Sequence, residues 1–204
     1  FFSFGTLLAK FLNLNTKSAE SFEKLAATIS SPDLHDGDIE NMPLYLEDRS
    51  IIAGFSKYSG KFEKHNYYPN NPNPDQIAFR FTRPKSDNCP IEKACICLCK
   101  DSYNGLQDPL PESTECNDPR CRAFDSIDFL PENIIEKDND GSPKSAFIGG
   151  FLYFRSKNSP LRDESIDQRT IFIQKHKNTI AVCTTSPCIS DESKAAINAA
   201  ADKD

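Results

Sequence analysis

Residues 94–99 read Ala-Cys-Ile-Cys-Leu-Cys, and this alternation decides the fold. Successive side chains of a β-strand point to opposite faces, so Cys95, Cys97 and Cys99 share one face. Neighbouring cysteines on one face of a flat strand are poorly placed to bond each other, and each is expected to bond a cysteine elsewhere. The stretch therefore predicts a central strand that acts as a disulfide hub.

The cysteine set as a whole favours disulfides over metal binding. The chain contains eight cysteines, and no Cys-x-x-Cys pair occurs among them, so no zinc knuckle or thioredoxin-type motif is spelled out. Even cysteine sets form disulfides in oxidising compartments, so four disulfides are predicted from the eight residues. A metal–thiolate cluster at the hub strand is the alternative. The eight are Cys89, Cys95, Cys97, Cys99, Cys116, Cys121, Cys183 and Cys188.

Two cysteine pairs outside the hub share one spacing, and each has a proline in its loop. They are Cys116–Cys121 and Cys183–Cys188. Each pair either closes a local loop or supplies partners to the hub strand. For Cys183 we favour the hub, because this residue lies in a predicted strand.

The N-terminal segment has the periodicity of a long helix. A seam at 4-3 spacing, apolar at both ends and polar in the middle, runs along it, and no proline interrupts it before Pro32. One helix over 1–29 is predicted, about 40 to 45 Å long at 1.5 Å per residue. A break at 13–16 is the alternative, with Thr16 or Ser18 capping a second helix. The seam consists of Phe4, Leu8, Phe11, Asn15, Ser18, Phe22, Leu25 and Ile29.

After Pro32 the pattern changes to short strands. Residues 43–47 and 50–56 flank Asp48-Arg49 and predict a hairpin. Further predicted strands are 76–83, 94–100, 146–155, 170–174 and 179–184, with a short helical turn within 122–135. The predicted fold class is α+β: a long N-terminal helix followed by a disulfide-stapled, mainly antiparallel β head. The predicted domains are a helical stalk at 1–31, the head at 32–192 and a polar, Ala-rich tail at 193–204.

Charge and motifs argue against catalysis and against nucleic-acid binding. The net charge is -6 at pH 7 without a basic block, so the footprint of a nucleic-acid binder is missing. No familiar catalytic or phosphate-binding motif occurs, and His35, His65 and His176 lie in polar, loop-like contexts. An even disulfide set leaves no thiolate for a Cys–His nucleophile. We expect a protein that is not an enzyme and holds no cofactor or metal.

Two carboxylate-rich loops, 33–38 and 138–141, contain some of the oxygen ligands that calcium prefers. Neither loop completes an EF-hand, because the ligand expected further along the chain is missing. We interpret both as ordinary solvated turns. Gly149-Gly150, between apolar residues, indicates a bulge rather than a phosphate loop.

The N-terminal segment resembles the start of a mature type IV pilin or archaeal pilin-like protein. The resemblance rests on Phe1, the seam from Phe4 to Ile29, and the change to strands after Pro32. It implies a helix that bundles in a filament core, a homopolymeric partner, and contact with a membrane during assembly. The implied assembly interface comprises Phe1, Phe4, Leu8, Phe11, Phe22, Leu25 and Ile29.

The remainder of the chain resembles, more loosely, cysteine-rich surface proteins of small-genome archaea. The resemblance rests on Ala94–Lys100, Cys121–Phe124 and Ile180–Cys188, and it implies an extracellular or cell-surface location. Our first hypothesis is an extracellular structural subunit that polymerises through its N-terminal helix into a pilus-like filament. The alternative is a membrane-tethered surface domain, with its anchor removed upstream of Phe1, that binds a ligand or a neighbouring cell.

Overall fold

The computed structural model describes residues 17–47, 50–67, 75–100, 116, 119–129, 136–137, 143–148, 150–154, 168–184 and 186–201. Its helices are α1 (Lys17–Ile29) and α2 (Asp191–Ala201). Its strands are β1 (Ile39–Tyr45), β2 (Ile51–Phe55), β3 (Lys61–Tyr67), β4 (Asp75–Thr82), β5 (Ala94–Cys99), β6 (Arg120–Phe124), β7 (Asp128–Phe129), β8 (Glu136–Lys137), β9 (Pro143–Ile148), β10 (Gly150–Phe154), β11 (Gln168–His176) and β12 (Thr179–Cys183).

The described strands form three four-stranded sheets. Sheet A has the order β1-β11-β12-β7, sheet B the order β10-β2-β5-β6, and sheet C the order β4-β3-β9-β8. Among these pairings only β12 with β7 is parallel. The prediction of a mainly antiparallel β structure is therefore confirmed.

Sheet B is covered on both faces, and its strand β5 is buried along its whole length. On one face Ile96 and Leu98 belong to a first core, which sheet A and α1 also build. On the other face the three hub cysteines belong to a second core, together with Phe62 and Phe81 of sheet C. The alternation predicted for 94–99 is confirmed. Strand β5 is central because its two faces supply two different cores.

The prediction of a long N-terminal helix is wrong. The helix that the structure describes in the N-terminal part of the chain is α1, which has 13 residues. Residues 1–16 lie outside the described residues. The start of α1 at Lys17 agrees with the alternative in which a second helix follows 13–16. Phe22, Leu25 and Ile29 are buried in the first core. The neighbouring sheets supply an apolar surface within the same chain, and the apolar side of an amphipathic helix packs on such a surface.

Two buried serines of α1 bind the strand that follows. The Ser21 hydroxyl oxygen accepts a hydrogen bond from the backbone N–H of Tyr45 (3.0 Å), and that of Ser18 accepts one from Glu47 (2.7 Å). Because α1 begins at Lys17, Ser18 lies inside the helix and does not cap it. The Tyr45 N–H points away from β11, on the same side as Pro43, which has no N–H. Among the described strands β1 is the outer strand of sheet A, and these two positions make its edge a poorer template for pairing with another chain.

Three local predictions fail because strand partners come from distant segments. Residues 43–47 and 50–56 do not form a hairpin, since β1 pairs with β11 whereas β2 pairs with β10 and β5. The described part of 122–135 contains β6 and β7 instead of a helical turn. The predicted strand 146–155 is divided into β9 and β10, which belong to different sheets. The strands predicted at 76–83, 94–100, 170–174 and 179–184 are confirmed as β4, β5, β11 and β12.

Glycines allow β2 and β10 to approach closely. Gly150 has a φ of +140°, and a Cβ there would lie 1.9 Å from the carbonyl oxygen of Gly54. A Cβ on Gly54 would lie 2.1 Å from the Phe151 ring, its partner across the two strands. Gly150 thus begins a paired strand at a position that only glycine fills without strain. Gly149 lies outside the described residues.

The C-terminal segment packs on the face of sheet A that points away from the first core. Ile189 is buried just before α2, and its backbone N–H donates to the side-chain oxygen of Gln174 (2.9 Å). Helix α2 covers most of the segment predicted as a polar, Ala-rich tail at 193–204. Neither described helix combines the length and the apolar character needed to cross a bilayer.

Candidate recognition surface and sulfur cluster

All eight cysteines are paired, and three of the four disulfides meet at β5. The bonds are Cys89–Cys95, Cys97–Cys121, Cys99–Cys116 and Cys183–Cys188. The disulfide-rich character is confirmed, and each hub cysteine bonds a cysteine outside the strand. The partners come from two segments, because Cys116 and Cys121 lie close together in the chain. Cys183 was expected to reach the hub, and that expectation is wrong. It faces outward on sheet A, away from sheet B, and closes a local loop with Cys188.

Two of the hub disulfides lie side by side in the second core. Cys97 and Cys121 are directly opposite each other on β5 and β6. The sulfur atoms of Cys89, Cys97 and Cys121 all lie within 4.8 Å of one another, and the three residues are buried. Among the described residues this is the group with the spacing of a metal site. Each of its sulfurs is bonded to another sulfur in the oxidised protein.

A buried arginine joins two loops at one end of sheets B and C. Arg83 follows β4 and is 6% exposed. Its guanidinium lies 5.8 Å from the centre of the Phe55 ring, and its backbone N–H donates to the Gly60 carbonyl (3.0 Å). We call the residues 56–60 and 89–93, which this side chain connects, the two-loop platform. The guanidinium donates to five carbonyl oxygens of this platform, those of Ser56, Ser59, Cys89, Pro90 and Lys93.

The charge of Arg83 is solvated by backbone dipoles. None of the five guanidinium hydrogen bonds described above goes to a carboxylate. Burial lowers the pKa of Arg83, and the more distant charges of Glu92 and Asp128 oppose this shift. An arginine stays protonated at neutral pH even so. A full positive charge therefore lies beneath the platform.

The platform presents two exposed apolar side chains on residues whose backbones are hydrogen-bonded to each other. Tyr58 is 77% exposed and Ile91 is 46% exposed. The backbone N–H of Tyr58 donates to the Ile91 carbonyl at 2.7 Å. Tyr58 has a φ of 60°, in the left-handed region that residues other than glycine seldom adopt. Among the described residues one other large apolar side chain, Ile39, is exposed to a similar degree.

Two aspartates near β7 hold the platform from the side. Asp128 Oδ1 accepts hydrogen bonds from the backbone N–H groups of Lys57 (2.8 Å) and Phe129 (2.8 Å). Burial raises the pKa of Asp128, and these two N–H donors offset part of the shift. Lys93 Nζ lies 2.7 Å from Asp125 Oδ1, and this contact raises the pKa of Lys93 and lowers that of Asp125. The platform is thus fixed at several points.

The histidines and the first carboxylate-rich loop connect parts of the fold. His65 lies in β3 and His176 ends β11, so two of the three histidines predicted in loops lie in strands. His176 Nδ1 lies 3.1 Å from Asp36 Oδ1, and its Nε2 lies 3.0 Å from Asn198 Oδ1 in α2. The backbone N–H of Lys177 also donates to Asp36 (2.8 Å) and is the main cause of the lowered pKa of Asp36.

The second carboxylate-rich loop, 138–141, lies outside the described residues. The residues predicted to mediate assembly divide into two groups. Phe22, Leu25 and Ile29 are buried in the first core, so in this fold they face the protein's own interior. The other four, Phe1, Phe4, Leu8 and Phe11, lie outside the described residues, and their role stays a prediction.

The residues of the platform were missed from the sequence. Arg83 was placed at the end of a predicted strand, and its residue type gives no sign that it is buried. The segment 56–60 contains serines and a glycine, which marks a turn but says nothing about Tyr58. The sequence offered two hints of the platform: the turn residues within 56–60, and the position of Arg83 at the end of a predicted strand. Only the tertiary structure shows that this one side chain reaches both loops.

No model of a known protein family matches the chain, and no curated protein or solved structure matches it. Its function has to be inferred from its own residues and their geometry.

Proposed function

We propose that the chain is a disulfide-stabilised recognition domain of an extracellular or cell-surface protein, and that the two-loop platform binds a protein partner. The disulfides support an oxidising compartment, where such bonds persist. Of the two functions expected from the sequence, binding by a surface domain is favoured over polymerisation. The apolar side of α1 is occupied by the first core, and three of the seven residues of the predicted assembly interface are therefore buried inside the fold.

The observation that carries this proposal is Tyr58, which is 77% exposed and held at a φ of 60°. Backbone in sparsely populated regions costs free energy and is found most often at functional sites. A structural turn here would need only a glycine. The chain instead places a large aromatic ring at the tip, where its contact with water contributes nothing to the fold.

The neighbouring residues make this ring suitable for protein recognition. Tyrosine is enriched at binding hot spots, because it offers a large apolar area with few rotatable bonds. Ile91 extends the apolar area, and the five hydrogen bonds of Arg83 fix the backbone beneath both side chains. A surface that is already ordered loses little conformational entropy when it binds. Single exposed apolar residues are common on proteins, but two that share one rigid platform form a patch.

The proposal is tested by measuring how the labelled, disulfide-intact chain binds to the surface of cells grown with the organism that produces it. We expect saturable binding that weakens by at least about tenfold in Tyr58→Ser and in Ile91→Ser, since loss of a hot-spot side chain costs about 2 kcal/mol or more and tenfold corresponds to about 1.4 kcal/mol. Ile39→Ser is the matched control, because Ile39 is 41% exposed and lies on β1, outside the platform. Equal binding by all four proteins, or no saturable binding, would contradict the proposal.

Polymerisation through the undescribed N-terminal residues stays a separate hypothesis. The double variant Leu8→Asp/Phe11→Asp tests it, because charges in the seam should leave a folded monomer if the seam is an interface. A variant that elutes in the same form as the wild type would rule out that interface.

A further inference from the structure

Two disulfides in the second core lie closer together than two independent disulfides require. The sulfurs of Cys89, Cys97 and Cys121 lie within 4.8 Å of one another, although they belong to two bonds. The register of β5 on β6 places Cys97 opposite Cys121, and the platform brings in Cys89. Reduction of these two disulfides leaves four buried thiols in one place, the fourth being Cys95.

We propose that Cys89, Cys95, Cys97 and Cys121 form a four-thiolate site for zinc, or an ion of the same class, in the reduced chain. Zinc binds thiolates at about 2.3 Å in a tetrahedron, which places the sulfurs about 3.8 Å apart. Three of the sulfurs already lie within 4.8 Å of one another. After reduction the two sulfurs of each former disulfide, about 2.05 Å apart in the bond, must separate by about 1.7 Å, and Cys89 must approach Cys97 and Cys121 by about 1 Å or less. Cys95, next to Cys89 by virtue of their bond, supplies the fourth ligand.

A second observation, the position of Arg83, points to the same ion. A zinc ion with four thiolates carries a net charge of minus two, and a buried charge needs an opposite charge nearby. Arg83 Nε donates to the carbonyl of Cys89, and the guanidinium packs on Phe55, which belongs to the second core with the hub cysteines. This buried cation is solvated by carbonyl groups in the oxidised protein. In the reduced, metal-bound protein it would offset the charge of the thiolate centre.

The chemistry balances with a thiol or phosphine reductant. Each disulfide accepts two electrons and two protons and gives two thiols, while the reductant is oxidised. The metal ion then displaces the four thiol protons, which leave to solvent. Two equivalents of a small-molecule disulfide accept four electrons and four protons, leave as four thiols, restore the two protein disulfides and release the ion. A metal ion bound at this site would hold the second core folded before the disulfides form.

The experiment is an anaerobic titration of the phosphine-reduced full chain with Co²⁺, followed by Zn²⁺. We expect one Co²⁺ per chain, with the absorption bands of tetrahedral thiolate coordination, and displacement of Co²⁺ by Zn²⁺. Cys121→Ser removes a direct ligand and should weaken binding by at least about tenfold, since even the loss of a residue that only supports a ligand costs about 10- to 100-fold. The double variant Cys183→Ser/Cys188→Ser is the matched control and should keep the bands, because this pair lies outside the second core.

Three results would overturn the proposal: no Co²⁺ binding, a spectrum of octahedral oxygen or nitrogen coordination, or dependence on Cys183 and Cys188 instead of Cys121. If the reduced chain is unfolded without metal, a second measurement tests whether Zn²⁺ restores the fold. Zn²⁺ must then restore the β-sheet circular dichroism and a cooperative urea transition in the wild type and in the control, but not in Cys121→Ser. Failure of Zn²⁺ to restore them would also overturn the proposal.

Discussion

The backbone N–H of Tyr58 donates a 2.7 Å hydrogen bond to the carbonyl of Ile91. This bond joins a loop that follows β2 to a loop that follows β4, and Arg83 binds carbonyl groups of both loops from beneath. The exposed patch and the buried cation are therefore parts of one arrangement. A change at Arg83 should alter both the stability of the fold and the shape of the surface.

Arg83→Lys should lower the free energy of unfolding by about 3 kcal/mol or more. Lysine keeps the charge but lacks the planar fork, and several carbonyl acceptors lose donors at roughly 1 to 3 kcal/mol each. Urea unfolding of the disulfide-intact protein measures the change. Arg122→Lys is the control, because Arg122 is half-exposed and contacts Glu23 at 3.4 Å at the surface. Equal effects of the two substitutions would show that the guanidinium contacts do not stabilise the platform.

Leu25→Ala should lower the free energy of unfolding by about 2 to 5 kcal/mol without changing the oligomeric state. Leu25 is fully buried in the first core, and removing its side chain leaves a cavity. Lys24→Ala, on the exposed side of the same helix, should change stability little. Urea unfolding together with size-exclusion chromatography distinguishes the two possible roles of α1. An assembly that dissociates in Leu25→Ala while the monomer keeps its stability would place this residue in an intermolecular interface.

The disulfides that close the longest and the shortest loop should differ in their contribution to the free energy of unfolding. Cys97–Cys121 closes a separation of 24 residues and Cys183–Cys188 one of 5. In the chain-entropy model the first contributes about 3.5 kcal/mol and the second about 2 kcal/mol. This comparison applies in a background in which Cys99 and Cys116 are alanines, because the Cys99–Cys116 bond lies within the Cys97–Cys121 loop and shortens it. Replacing each pair by two alanines and comparing the urea midpoints tests the order. A larger loss from the Cys183–Cys188 pair would show that loop closure does not set the order here.

Asp128→Asn should leave stability at neutral pH unchanged or slightly higher, whereas Asp128→Ala should lower it by about 1 to 3 kcal/mol. An asparagine oxygen still accepts from Lys57 and Phe129, but alanine leaves both N–H groups unpaired. Because burial raises the pKa of Asp128 in the folded state, ionisation of this carboxyl opposes folding.

The contribution of Asp128 to stability is therefore largest below its unfolded pKa and declines as the pH rises through the folded pKa. Unfolding free energies measured across this acidic range should move in favour of Asp128→Asn, relative to the wild type, as the pH increases. A difference between the two proteins that stays constant with pH would show that the folded pKa is not raised.

The sequence by itself determined the central strand and its chemistry. In residues 94–99 cysteines alternate with Ala94, Ile96 and Leu98, and the alternation of a strand requires two different faces. The presence of disulfides followed from an even cysteine set without a metal-type spacing. Strands with a continuous local pattern, such as 76–83 and 179–184, were also predictable. These features depend on neighbouring residues, which the linear order shows directly.

The tertiary structure alone decided which segments meet. The same apolar stripe of α1 suits a filament or an intramolecular core, and only the presence of sheets A and B beside it selects the core. The choice of Cys116 and Cys121 as hub partners depends on the register of β6, and burial of Arg83 depends on the distance between two loops. Periodicity specifies which face of an element is apolar, but not what covers that face. That is decided by contacts between segments far apart in the chain, whose free energies no local pattern contains.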